Sequence, residues 1–236
     1  MTIYLLMKTE TEINRDGVNI ARRSFLRYAG AGVAAVSVVT AASCRKGDQV
    51  PTNTGIDIGI GDIGILNYAY ALEQLEAAFY TQVIASPYSG ITASETTRLT
   101  EIRDHEICHR EFFKTVLGSN AIQVLTTDFS SIDFTNRAKV LAAAQAFEDT
   151  GVTAYNGAGY LIQSSAYLTL AGKIVSVEAR HASYIRDLIT AGSFGDSTVL
   201  DANGMDQAKT IAHILPVANT YLKTKVNASN FGYVSF

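Results

Sequence analysis

Apolar positions recur along this chain in steps of three and four residues over four long stretches. Within Thr169–Ile189 the stripe runs Ile174, Glu178, His181, Ile185 and Leu188; an earlier one runs Ile102, Glu106, His109, Phe113 and Val116. Such steps place side chains on one face of an α-helix. Two further stripes carry glutamate without histidine. One is Leu66, Ala69, Glu73, Glu76, Tyr80 and Val83; the other is Leu141, Ala144, Glu148, Gly151, Tyr155, Ala158 and Ile162.

The punctuation around these stripes predicts four helices. Helix one runs roughly Ile63–Ala85, with Asp62 as its N-cap and Pro87, Ser89 and Gly90 ending it. Helix two runs Ala93–Leu117, capped by Thr92 or Ser94 and stopped by Gly118. The short link makes these two antiparallel neighbours. Helix three runs Asn136–Gln163, and helix four follows a break at Ser164 and Ser165 and ends near Gly192. Between helices two and three, the polar segment Ser119–Thr135 holds 17 residues. Fully extended it reaches over about 50 Å, more than the roughly 37 Å of a 25-residue helix. It can therefore return along the bundle and start helix three parallel to helix two. The expected fold is an all-α four-helix bundle with one long crossover. A shorter helix over Met205–Leu215, interrupted by Pro216, and a tail should pack on it.

A carboxylate and an imidazole inside an apolar stripe are costly unless paired or bound to metal. Two helices each giving an inward Glu-x-x-His, with one Glu from each of two others, form the donor set of a dinuclear carboxylate site. Overlaying helix one on helix three sets Glu73 on Glu148 and Tyr80 on Tyr155. Overlaying helix two on helix four sets Glu106 on Glu178 and His109 on His181. The chain thus reads as two copies of a helix pair, and the expected metal ligands are Glu73, Glu106, His109, Glu148, Glu178 and His181. Four carboxylates offset the charge of two divalent ions held close in a core of low dielectric. Oxygen donors with one imidazole per ion suit iron and manganese, so the expected cofactor is two Fe or Mn ions, or one of each. Glu76 is the further candidate: a seventh ligand, a base behind the ligands, or a side chain folded into the space left by Gly151. Tyr80 and Tyr155 are read as core aromatics or as hydrogen-bond partners of ligand carboxylates. His105 points off the stripe and is placed outside the ligand set. Cys108 is read as a packing residue, and His213 as a surface or hydrogen-bonded histidine.

Composition supports a sizeable core, with 47% hydrophobic residues among 236. A net charge of −3 argues against a nucleic-acid partner. The N-terminus reads as an export signal. Arg22 and Arg23, within ARRSFLR, resemble the twin-arginine motif, a mildly apolar run follows, and Ala41-Ala42-Ser43-Cys44 resembles a lipoprotein cleavage site. Residues 1–43 are then a Tat-type lipoprotein signal, Cys44 takes lipid, and 44–62 is a tether rich in glycine and polar residues. Residues 63–191 form the bundle and 192–236 an extension. The expected partners are the Tat export machinery and a membrane, through the lipid anchor, which places the protein in the periplasm or on the cell surface; a homodimer is compatible with this. With Cys44 lipidated, Cys108 has no partner and no disulfide framework exists.

The ligand pattern resembles that of the ferritin-like superfamily, which includes ferritins, rubrerythrins and manganese catalases. Within it, LNYAYALEQLEAAFY, FEDTGVTAYNGA and VEARHASYIR are similar to exported ferritin-like proteins grouped with desiccation-related proteins. The resemblance covers about Ile63–Ile189. It implies a dinuclear iron or manganese centre and redox chemistry with peroxide or dioxygen. Three readings follow: an exported dimetal oxidoreductase, a metal-binding or iron-handling protein without turnover, and a stress-protective bundle.

Overall fold

The computed structural model describes residues 55–235; the export signal, Cys44 and the first part of the tether lie outside the described residues. Five α-helices carry the fold: α1 (Gly61–Ala85), α2 (Ala93–Leu117), α3 (Arg137–Gly159), α4 (Ser165–Ile189) and α5 (Ile211–Asn219).

The helix starts follow from local hydrogen bonding. Thr92 caps α2 in a reciprocal box with Glu95, Asn136 accepts from the Lys139 N–H, and Ser164 accepts from the Tyr167 N–H. Gly118 stops α2 at φ 54°, a left-handed value that glycine adopts without strain. Asp62 does not cap α1. Its carboxylate instead accepts from the backbone N–H groups of Gln163 and Ser164, at 2.8 and 2.9 Å, and ties the α3–α4 turn to the start of α1. Helix α3 ends at Gly159, four residues before the expected Gln163.

α1 and α2 form one antiparallel hairpin and α3 and α4 the other. Contacts between the hairpins set their relative direction. Tyr80 of α1 meets Glu148 of α3, and Tyr155 of α3 meets Glu73 of α1, so these helices are antiparallel. Helices α2 and α3 are therefore parallel, and an ion pair between their starts, Glu95 with Arg137, agrees. The long crossover is the connection this requires.

α1 is the central helix, and every residue from Gly64 to Ala77 is buried. A helix apolar on all sides belongs inside, and here the crossover covers its outer face. Asn67 donates to the Ile58 and Asn120 carbonyls and accepts from the Ile122 N–H, and Gln74 accepts from the Leu125 N–H. These two amides, two turns apart, pin the crossover where apolar contact alone would leave backbone groups unpaired.

The end of the supposed tether belongs to the fold. Ile56–Asp57 pairs in parallel with Val226–Asn227, and Ile58 is fully buried. The C-terminal helix lies later than expected and passes through Pro216 rather than stopping before it. It packs on α1 and α3. The lead-in to α5 crosses α3 at Gly157, where an added Cβ would stand 1.8 Å from the Lys209 carbonyl oxygen. Gly157→Ala should therefore cost roughly 1–3 kcal/mol of stability. Urea unfolding of that variant checks this; an unchanged midpoint contradicts the close approach.

Candidate metal centre

The four stripes meet midway along the bundle. Glu73, Glu106, Glu148 and Glu178 are each fully buried, and His181 nearly so. They form two overlapping sets, Glu73–Glu106–His109–Glu178 and Glu106–Glu148–Glu178–His181, each with one donor atom per residue lying within 4.8 Å of the others. Donors about 2.0–2.2 Å from one ion lie up to roughly 4.4 Å apart, so either set fits an ion with small adjustment. All six residues predicted as ligands are present, and Glu106 and Glu178 belong to both sets.

The hydrogen bonding sorts the four carboxylates into two kinds. The Tyr155 hydroxyl donates to Oε1 of Glu73, and the Tyr80 hydroxyl donates to Oε1 of Glu148 at 2.5 Å. Each pair crosses between hairpins. Each leaves the second oxygen, Oε2, buried without a partner, while in Glu106 and Glu178 both oxygens are so. Nδ1 of His109 and of His181 is likewise without a hydrogen bond. His109 Nδ1 lies 2.8 Å from Glu178 Oε1, and His181 Nδ1 lies 2.8 Å from Glu106 Oε1. Eight buried donor atoms converging from four helices is an arrangement that bound cations would satisfy. Among the described residues no lysine or arginine pairs with these carboxylates; the buried Arg186 makes a two-pronged contact with Asp149 at 2.8 and 2.7 Å and joins α4 to α3.

Without a cation the site must hold protons. Burial lifts Glu73 well above the usual carboxylate range and pushes Glu148 up to about 8. Burial alone would raise Glu106 too, but His109 and His181 outweigh it and pull Glu106 down to about 2. Both imidazoles, which burial would lower, are raised to about 12 by the carboxylates around them. Those are the protons a metal would displace.

Of the three readings of Glu76, the structure shows the fold-back. Its side chain lies over Gly151, where an added Cβ would stand 3.1 Å from its Oε1. It belongs to neither donor set. Burial and then the neighbouring carboxylates raise its pKa well above the ordinary value.

His105 stands outside the ligand set, as expected, yet it touches the site. Its Nδ1 lies 2.9 Å from Nε2 of His181, with the rings 12° from parallel. It thus holds the far nitrogen of that ligand and leaves Nδ1 to face the carboxylates. The corresponding position on α4 is Val177, so His109 has no such support. Removing a partner of this kind costs about 10–100-fold in metal affinity. His105→Ala should weaken metal binding at the set containing His181 by that factor, read as faster chelator-driven release. Release unchanged from wild type would show that the contact does not matter. Cys108 is exposed rather than packed, and His213 is exposed with Nδ1 2.8 Å from the Thr210 hydroxyl.

Residues 61–191 match the family described as ferritin-like domain. No curated protein matches the chain.

Proposed function

The chain belongs to the ferritin-like domain family, and on that footing we propose that it holds two iron or manganese ions and acts as an exported oxidoreductase on peroxide or dioxygen. The observation that carries this reading is the pair of overlapping donor sets sharing Glu106 and Glu178. Two adjacent redox-active ions, when bound, supply two electrons together. The chain's own residues do the rest. Glu73 and Glu148 each present one oxygen to the site while Tyr155 and Tyr80 hold the other by a hydroxyl proton. His105 orients His181, and burial excludes water from the carboxylates.

The test is metal analysis of protein purified after native export, followed by mixing with dioxygen or hydrogen peroxide. Two Fe or Mn ions per chain and a spectral change on mixing are expected. No metal under any loading condition would leave the protective bundle as the reading. Cleavage before Cys44 and a lipid anchor there, placing the mature protein at a membrane outside the cytoplasm, belong to the same proposal. An intact N-terminus on the exported protein, seen by mass spectrometry, would overturn that part.

A further inference from the structure

The bundle is filled differently on the two sides of the site. Toward the C-terminal end of α1, Phe79 packs against Phe147, Phe129 and Phe134 with ring centroids 4.9 to 5.8 Å apart. Toward the N-terminal end of α1, inward positions carry Ala69 on α1 and Ala154 and Ala158 on α3, and a void of about 20 Å³ remains between the hairpins. Tyr155 is part of its wall, and the same Tyr155 reaches Glu73. One phenol ring therefore lies between the void and the Glu73–His109 set. On α2 and early α4 the wall residues Phe112, Val116, Tyr167, Leu170 and Ala171 are only half-buried, which puts the approach from solvent along that seam.

Size and polarity select the occupant. The volume suits a molecule of about two heavy atoms. The wall is apolar, and its one fully buried polar atom without a partner is the Tyr68 hydroxyl. A water molecule needs two to four polar partners, and this void offers one. Hydrogen peroxide, with two hydroxyls to satisfy, meets the same deficit. An apolar diatomic meets none, and a single donor does not exclude it.

We propose that this void is a docking site for a small apolar molecule, dioxygen when the centre turns over, entered along the α2–α4 seam and opening toward the Glu73–His109 side. The turnover clause rests on the function proposed above; occupancy of the void does not. Crystals of metal-free protein pressurised with krypton test occupancy, with anomalous density expected in the void beside Tyr155. Ala158→Leu, which fills the void, should abolish that density. Ala171→Phe, at the half-buried rim, should keep the wild-type circular dichroism, slow the reaction of metal-loaded protein with dioxygen by about tenfold or more and leave the peroxide reaction unchanged. No krypton in the wild-type void, or an Ala171→Phe protein reacting with dioxygen at the wild-type rate, overturns the proposal. Krypton in the void of a protein that reacts with neither oxidant upholds the docking site and removes the oxidoreductase reading.

Discussion

Replacing His109 and His181 together by alanine is expected to yield a bundle that no longer retains a pair of metal ions. Each histidine is the sole nitrogen in its donor set, and each set has only four donors. Loss of a contact behind a ligand costs about 10–100-fold, so loss of the ligand itself should cost more than that at each ion. The fold should survive, because the packing on either side of the site, from Leu66 and Phe113 to Phe79 and Phe147, is untouched. Metal content per chain, read with circular dichroism on the same sample, checks both halves. Two ions retained by the double variant would show the assignment to be wrong. A parallel pair separates the two glutamates of α1: Glu73→Gln should lower metal content, while Glu76→Gln should leave it near the wild-type value, since Glu76 faces Gly151.

Metal removal should destabilise the protein most at alkaline pH. The sign follows from the protons the empty site holds. Glu148 is raised to about 8, so between its ordinary value of 4.5 and that point the folded state keeps a proton the unfolded chain releases. Stability then falls as pH rises through this window. The two histidines are raised from 6.5 to about 12; the stability they contribute is fully present below 6.5 and drains away as pH climbs from 6.5 toward 12. Glu106, lowered to about 2, contributes stability present above 4.5 and lost only as pH falls through 2, outside the window. Both active trends run the same way above neutrality, and every tenfold gain in proton affinity on folding corresponds to about 1.4 kcal/mol. Metal-free protein should therefore melt at a lower temperature at about pH 9 than at about pH 6. Bound metal replaces the protons and reverses the dependence, because its ligands must be deprotonated. Calorimetry at about pH 6 and about pH 9, with and without metal, reads the difference. Metal-free protein with the same melting temperature at both pH values would contradict the buried-proton account.

The sequence was most legible where periodicity and chemistry coincide. Glu and His on apolar stripes have few ways to be satisfied, so Glu106, His109, Glu178 and His181 could be placed in the core by spacing alone. The seven-residue repeat likewise marked Tyr80 and Tyr155, and the structure selects hydrogen bonding over plain packing for both. What stayed hidden depends on contacts between elements distant in sequence. His105 is turned about 100° from Glu106, and only the approach of α4 brings His181 within its reach. Asp62 carried every local sign of a cap, but the α3–α4 turn offered its N–H groups to the same carboxylate. Cys108, one residue before His109, points off the ligand stripe, and that face of α2 is open to solvent rather than packed. Residues 56–58 looked like tether because a two-residue strand has no period to read, and its partner lies at Val226.

Glu106 and Glu178 stand on different hairpins, and each belongs to both donor sets. Each hairpin supplies three donors to one set and a single donor to the other. A cation held by either set would therefore bridge the two hairpins, so metal binding should act as a clasp that raises the temperature at which they come apart.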